Sequence, residues 1–328
     1  MYEEFYGFTE KPFSLLPDAD FLYLGKKHSA AYAMLEYGLM NQAGFTVITG
    51  EVGSGKTTLV RKLLDDLHDD VTVGLISNTP QNIGQLLQWV LMAFDQDYRE
   101  ENQVALYDQF NQFLIDQYSH NKRTVLIIDE AQNLHPHILE ELRMLSNINA
   151  DKHQVLQMIL VGQPQLLSLL KRPELEQFRQ RIASDYYLKA LDRTETERYI
   201  HHRTFHAGVE RSLFDEKAVD LIFKASKGIP RIINSLCDMA LVYGFAEQLQ
   251  TIDEAMIKAV LEDKANTGLI EIDWDSNIDT EPKLDTKKPA SPQLQLDNAD
   301  DNEYSRQRKK ALKSSLGRDT VKHLFSKD

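Results

Sequence analysis

Cysteine and positive charge are both scarce in this sequence. Its 328 residues include one cysteine, Cys237, so the chain can form no internal disulfide and its composition fits a reducing compartment. The 37 Lys and Arg residues are outnumbered by 50 Asp and Glu residues, which gives a formal net charge of −13. A chain this acidic repels nucleic acid unless its basic residues cluster, so the composition disfavours DNA binding.

Long apolar runs are missing as well. No stretch approaches the roughly 18 consecutive apolar residues that span a membrane as a helix. The first five residues are acidic and aromatic, and they lack the basic start and apolar run of a signal peptide. These absences predict a cytoplasmic protein, with peripheral attachment to the inner membrane as the alternative. Hydrophobic residues still make up 42% of the chain, which is enough to build a folded core.

The apolar pattern changes along the chain. Up to about residue 192, short β-branched segments alternate with amphipathic ones, which predicts a mostly parallel sheet covered by helices. From residue 193 to 265 only helical periodicity remains. The predicted regions are an aromatic N-terminal arm (1–25), an α/β domain (26–192), a helical domain (193–265), a disordered acidic linker (266–305) and a basic tail (306–328). The predicted strands are Phe45–Thr49, Val71–Ser77, Thr124–Ile128, Val155–Val161 and Ser184–Leu188.

A glycine-rich segment follows the first predicted strand and precedes a predicted helix. It reads Gly50-Glu-Val-Gly-Ser-Gly-Lys-Thr57 and matches the pattern G-x-x-x-x-G-K-[ST] in full. Glycines at these positions let backbone N–H groups surround phosphates, and the helix N-terminus adds positive potential. Lys56 would reach the β- and γ-phosphates, and Thr57 would ligate Mg²⁺. The predicted phosphate site comprises Gly50, Glu51, Val52, Gly53, Ser54, Gly55, Lys56, Thr57 and Thr58.

Two carboxylates end the third predicted strand. Because ligands bind at the carboxyl ends of strands in open α/β sheets, Asp129 and Glu130 are placed to meet the phosphate site. Asp129 would hold Mg²⁺, and Glu130 would orient and polarise the attacking water. The guanine-selective pattern N-K-x-D is absent from the sequence, which favours ATP over GTP. The two motifs together predict a nucleoside triphosphatase.

Two amides and three arginines are further candidates. Gln163, after the fourth predicted strand, would touch the water or the γ-phosphate, or it is a polar turn residue. Asn78, after the second strand, would hold Glu130 back until ATP binds, or it too is a turn residue. Arg179 and Arg181 precede the fifth strand and would project to a neighbouring subunit's γ-phosphate, with solvated surface arginines as the alternative. Arg231, just after a proline, would approach the phosphates from the helical domain.

An ordered series of segments resembles the AAA+ ATPases of the general secretion pathway protein A type, which are associated with bacterial secretion. It is most similar to the shorter versions found beside exopolysaccharide and exosortase systems. The resemblance covers about residues 1–265. The segments that carry it are Phe5-Tyr-Gly-Phe8, Lys11-Pro-Phe13, Pro17-Asp-Ala-Asp-Phe21, Leu35-Glu-Tyr-Gly38, Gly50–Thr58, Ile128-Asp-Glu-Ala-Gln-Asn133, Val161-Gly-Gln-Pro164, Gln180-Arg-Ile182, His202-Arg203, Ala207-Gly208 and Gly228-Ile-Pro-Arg231.

This resemblance implies a P-loop NTPase core of the AAA+ type, with a parallel five-stranded sheet between helices and a C-terminal helical lid. It implies ATP and Mg²⁺ as cofactors and ATP-dependent assembly into a homo-oligomer such as a ring. Phe13 and Tyr23 would line an adenine pocket or pack in the core. The implied roles are P-loop residues for Lys56 and Thr57, Walker B acids for Asp129 and Glu130, sensor 1 for Gln163, arginine finger for Arg181 and sensor 2 for Arg231.

The implied function is to energise or regulate assembly of a bacterial secretion or exopolysaccharide-export system, with components of that machinery as partners. Longer members of the family continue into a transmembrane helix and a peptidoglycan-binding domain, which this sequence replaces with the acidic linker and basic tail. Direct binding to the cell wall is therefore not expected. Two alternatives stay open: an ATP-switched DNA-binding regulator of the transposition type, and a nucleotide-dependent scaffold with very low turnover.

Overall fold

The computed structural model describes residues 1–41, 44–67, 70–77, 85–100, 102–150 and 153–267. Asn78 and the predicted basic tail lie outside these residues, as does all but the start of the predicted linker. The last helix continues to Thr267, and the predicted start of the linker at residue 266 stays a prediction. No helix in the described ranges is long and apolar enough to cross a bilayer.

Seven strands are present in the described residues. They are β1 (Phe45–Gly50), β2 (Val71–Ile76), β3 (Arg123–Ile128), β4 (Asn149–Ala150), β5 (His153–Gln154), β6 (Leu156–Gly162) and β7 (Ile182–Leu188). Five of them form one parallel sheet in the order β2-β3-β6-β1-β7, which confirms the predicted α/β class and its five-stranded sheet. The two short strands β4 and β5 pair separately as an antiparallel hairpin that the sequence pattern did not predict.

Helices cover both faces of the sheet and make up most of the remaining structure. They are α1 (Glu3–Tyr6), α2 (Lys26–Met40), α3 (Lys56–Asp66), α4 (Leu86–Ala93), α5 (Gln103–Ser119), α6 (Pro136–Leu145), α7 (Pro164–Leu170), α8 (Glu176–Arg179), α9 (Arg193–His206), α10 (Glu216–Ser226), α11 (Pro230–Ala246) and α12 (Glu254–Thr267). Short 3₁₀ turns occupy Ala131–Asn133 and Pro173–Leu175.

The central strands are buried on both sides, which explains why they are continuous apolar runs rather than alternating patterns. Every residue of β1 and β6 is buried. In β3, Val125 and Ile127 pack in one hydrophobic cluster with α2 and α3, while Leu126 and Ile128 pack in the other with α4, α5 and α6. Because β1, β3 and β6 are parallel neighbours, the loops that follow them emerge at the same edge of the sheet.

The N-terminal arm packs with the helical domain, which is formed by α9 to α12. One hydrophobic cluster joins the arm residues Tyr2, Tyr6, Phe8, Phe13 and Phe21 to side chains of these four helices. The domain begins with a capping box, in which Asp192 accepts from the backbone of Glu195 and the Glu195 side chain accepts in return from the Asp192 backbone. Among its described residues, one isolated parallel bridge between Phe214 and Ile252 is the only departure from helix and loop.

Candidate functional site

The loop between β1 and α3 adopts the conformation that its glycines permit. Gly53 and Gly55 have φ values of 78° and 97°, in the left-handed region that side chains with a Cβ avoid. Gly55 is the N-cap of α3, so the first free N–H groups of that helix open onto the loop. The loop therefore presents backbone donors and the positive end of a helix dipole to one point, which is an arrangement that binds phosphate.

Lys56 is held inside this loop. Its side chain is only 7% exposed, and Nζ donates to the carbonyl oxygens of Gly50 at 2.8 Å and Glu51 at 2.9 Å. Burial lowers the pKa of the Lys56 ammonium, and the charges of Glu130 and Asp129 oppose that shift. An ammonium has three donors, so two are used by the loop itself and one is left for a ligand oxygen.

Thr57 and Asp129 come together across the sheet edge. Thr57 Oγ1 donates to Asp129 Oδ2 at 2.8 Å, and the Glu130 backbone N–H donates to Asp129 Oδ1 at 2.9 Å. A hydroxyl and a carboxylate are oxygen ligands of the kind Mg²⁺ takes, and Mg²⁺ commonly adds substrate phosphates and water to one or two such groups. No group of three His, Cys, Asp or Glu side chains that could hold a metal ion occurs among the described residues, so the pair fits a Mg²⁺ site that a substrate phosphate completes.

Glu130 lies beside the Thr57–Asp129 pair and accepts hydrogen bonds from two glutamines. Its Oε2 accepts from Gln132 Nε2 at 2.6 Å and from Gln163 Nε2 at 3.1 Å. The Gln163 backbone N–H in turn donates to Gln132 Oε1 at 2.9 Å. The structure thus brings the predicted residues Glu130 and Gln163 into contact and adds Gln132, which the sequence interpretation quoted in a motif but assigned no role.

Lys56, Thr57, Glu130 and Gln163 line an open cleft with an empty volume of about 960 Å³. One wall is the glycine-rich loop with Glu130 and Gln163, another is the arm from Ser14 to Tyr23, and the third belongs to α9 and α11. The helical domain touches the loop directly, because the Arg231 N–H donates to the Gly53 carbonyl at 3.2 Å. Arg231 therefore lies beside the glycine-rich loop, and its contact with a phosphate stays a prediction.

A second arginine of the helical domain, Arg203, also lines the cleft and was not predicted. It is 5% exposed, and burial lowers the pKa of its guanidinium. Nε donates to the Pro12 carbonyl at 2.6 Å and Nη2 to the Ser14 carbonyl at 3.3 Å, while the guanidinium lies 4.4 Å from the ring centroid of Phe21. Arg203 thus fastens the arm to α9 along one wall of the cleft.

The two aromatic candidates for an adenine pocket separate in the structure. Phe13 is 1% exposed and packs edge-to-face against Phe214, so it belongs to the core of the helical domain. Tyr23 lines the cleft and contacts the rings of Tyr199 and His202. Of this pair, Tyr23 is the one placed to contact a bound base.

Arg179 and Arg181 lie far from the cleft of their own chain. Both are exposed and precede β7, whose first residue pairs with the first residue of β1. The glycine-rich loop follows the other end of β1, roughly 17 Å further along the strand. Arg181 Nη1 donates to Ser146 Oγ at 3.5 Å. Neither arginine is therefore placed to reach a phosphate at the glycine-rich loop of its own chain, and the trans role of this pair stays a prediction.

Comparisons with known proteins agree with this geometry. A family model described as an AAA domain matches residues 39–170. General secretion pathway protein A of Aeromonas hydrophila is 38% identical over 247 residues, which cover 75% of this chain and 45% of that protein. The chain thus spans less than half the length of this relative.

Solved structures support the fold. The ADP form of the Aeropyrum pernix ORC2 protein is similar with a TM-score of 0.59 and 16% identity, over 78% of this chain and 73% of that one. Cdc6p from Pyrobaculum aerophilum gives a TM-score of 0.56 at 16% identity, over 72% and 68% of the two chains. Together with the family match and the parallel sheet, they confirm the predicted fold. The chain therefore carries an AAA domain of the P-loop NTPase fold and is related to general secretion pathway protein A, as its ordered motifs predict.

Proposed function

We propose that this protein binds ATP with Mg²⁺ and hydrolyses it to ADP and phosphate. The observation that carries this proposal is the convergence of three strand-end loops. They bring the Lys56 ammonium, the Thr57–Asp129 pair and the Glu130–Gln163 pair to one cleft. Phosphoryl transfer requires little covalent chemistry from the protein, so positioning and charge are the main contributions this site must make.

Each residue has a distinct task in the reaction. Lys56 and the free N–H groups at the start of α3 bind the β- and γ-phosphates. Thr57 and Asp129 would hold Mg²⁺, which when bound neutralises charge that develops on the phosphate oxygens. Glu130 accepts a hydrogen bond from the attacking water and polarises it. Gln163 contacts Glu130 and lines the cleft, so it connects that carboxylate to the γ-phosphate position.

The arginine positions favour a site that is completed between subunits. Arg181 lies at the end of the sheet opposite to its own cleft, and a cation supplied by a second subunit stabilises charge in the transition state strongly. We propose that the protein forms a homo-oligomer on ATP, with a ring as one arrangement, in which Arg181 approaches the neighbouring γ-phosphate. Arg231 closes the phosphate end of the same cleft from the helical domain.

The cellular role that fits best is to energise or regulate assembly of a bacterial secretion or polysaccharide-export system. Its support is the 38% identity to general secretion pathway protein A over three quarters of this chain. That relative is more than twice as long as the shared part, so its whole activity is not carried over. A net charge of −13 argues against the alternative of a DNA-binding regulator.

The test measures ATPase activity per subunit against protein concentration, for the wild type, Lys56→Ala, Arg181→Ala, Arg179→Ala and Arg172→Ala. We expect activity per subunit to rise with concentration and to vanish in Lys56→Ala. Arg181→Ala should lose about 10³-fold or more while still binding ATP. Arg179→Ala tests the other candidate arginine, and Arg172→Ala is the control because it removes an exposed arginine that has no predicted role. Activity that persists in Lys56→Ala would overturn the hydrolysis proposal. Activity that is independent of concentration and of Arg181 would overturn the shared site.

A further inference from the structure

The backbone of Glu130 is unusual for a residue with a side chain. It adopts φ 52° and ψ 36° and caps the 3₁₀ turn that begins at Ala131. Left-handed backbone at a non-glycine residue is strained and persists where surrounding contacts fix it. The contacts in question are the two amide donors from Gln132 and Gln163, which both meet Glu130 Oε2.

The side-chain amide of Gln132 has only one orientation that satisfies its neighbours. The Gln163 backbone N–H can only donate, so the Gln132 atom 2.9 Å from it must be the carbonyl oxygen. The NH₂ group then faces Glu130, whose carboxylate can only accept. A single amide therefore links the loop after β3 to the loop after β6 and donates the shorter of the two bonds to Glu130.

The space for this link depends on the residue at the end of β6. A Cβ built at Gly162 would lie 3.0 Å from Gln132 Oε1 and 2.9 Å from Leu166 Cδ2. Gly162 therefore leaves room for the Gln132 side chain to pass over the end of the strand. Within the described part of the chain both donors converge on Oε2, so Oε1 is the oxygen left to receive a proton from water.

We propose that Gln132 is a positioning residue for ATP hydrolysis. It holds the Glu130 carboxylate so that Oε1 faces the attacking water, and its bond with the Gln163 backbone couples the position of Glu130 to that of Gln163. The inference rests on the proposed ATPase function. Gln132 does not line the cleft, so it acts through Glu130 rather than on the nucleotide. Its loss should therefore lower kcat and leave the affinity for ATP unchanged.

The experiment compares Gln132→Met, Gln132→Glu and Asn133→Ala in the full chain. Gln132→Met keeps the bulk and removes both hydrogen bonds, and kcat should fall about 10- to 100-fold, as expected for a hydrogen bond to a charged group. Gln132→Glu keeps an acceptor for Gln163 but sets a second carboxylate against Glu130, so kcat should fall further. Asn133→Ala changes an exposed neighbour and should leave kcat unchanged. The Kd for a fluorescent ATP analogue and the Tm are measured for every variant.

A double-mutant cycle with Gln163→Ala separates positioning from general damage. Because both amides act on one carboxylate oxygen, the double variant Gln132→Met/Gln163→Ala should lose much less than the product of the two single losses. The inference is overturned if the fold-loss in kcat of the double variant equals the product of the two single losses. It is also overturned if Gln132→Met has the kcat of the wild type. A wild type that hydrolyses no ATP overturns the proposed function instead, so the two failures are distinguishable.

Discussion

The contact between Arg231 and the glycine-rich loop permits a sharp test with Gly53→Ala. A Cβ at Gly53 would overlap the Cβ of Arg231, so the helical domain must move away from the loop to accept it. Gly53 also has φ 78°, which costs an alanine about 1–2 kcal/mol. Moving the domain breaks the bond from Arg231 N–H to Gly53 carbonyl, whose net contribution is about 0.5–1.5 kcal/mol. Gly53→Ala should thus lose about 1.5–3.5 kcal/mol of unfolding free energy.

A second glycine of the chain provides the matched control. Gly7 has φ 87°, and a Cβ there would meet no atom within 4 Å. Gly7→Ala therefore carries the same backbone cost without the collision, and it should lose only about 1–2 kcal/mol. Urea unfolding of both variants without nucleotide measures the difference, which reports the contact between the helical domain and the loop.

The overlap between the two Cβ atoms can also be removed by a second substitution at Arg231. Arg231→Gly removes the Cβ that a Gly53 side chain would meet, so Gly53→Ala in that background should cost no more than Gly7→Ala. The loss of unfolding free energy caused by Arg231→Gly itself is present with and without Gly53→Ala, so it cancels in the comparison. Equal losses for Gly53→Ala and Gly7→Ala in the wild-type background would show that the helical domain does not press on the loop, and the reasoning would be wrong.

Two further predictions concern buried basic groups. Arg203→Met should lower the unfolding free energy by about 1–3 kcal/mol, because the Pro12 carbonyl loses its donor while the Ser14 carbonyl keeps the one from Asn234. The loosened arm should also be cut faster by chymotrypsin after Phe13, which is buried in the wild type, and an unchanged urea midpoint and cleavage rate would contradict this. Burial lowers the pKa of His28 below its ordinary 6.5. As the pH falls from about 7 to about 5, the histidine therefore gains its proton more readily in the unfolded chain than in the folded one, and the free energy of unfolding falls. His28→Gln should flatten that pH dependence of the urea midpoint, and an identical slope in both proteins would refute it.

The sequence predicted the sheet well because its strands are buried on both faces. The predicted Thr124–Ile128 and the observed β3 differ by one residue, and the predicted Ser184–Leu188 starts two residues after the observed β7. Edge strand β7 is exposed at alternate positions and has fewer apolar residues, so its start was harder to place. The β4–β5 hairpin was missed because two-residue strands carry no periodicity at all.

The site was partly predictable for a related reason. The glycine pattern and the acid pair are contiguous, and their chemistry follows from spacing alone. Gln132 and Arg203 act through contacts between segments distant in sequence, Gln132 with Gln163 and Arg203 with Pro12. A glutamine in a 3₁₀ turn and an arginine in a helix have no local pattern that marks them as buried or bonded. These two roles can be predicted only after the fold has shown that the ends of β3 and β6 are neighbours and that the arm packs on α9.

The packing of the arm on the helical domain has a consequence for how the chain is made. That domain's core combines side chains of Tyr2 to Phe21 with others from Leu191 to Leu261, and the whole α/β domain is inserted between them. During translation the early aromatic residues leave the ribosome long before their partners exist. The α/β domain can fold as a unit meanwhile, whereas the arm stays without its core until α12 emerges. Nascent chains of this protein therefore expose the apolar side chains of the arm until the last helix of the domain has been made.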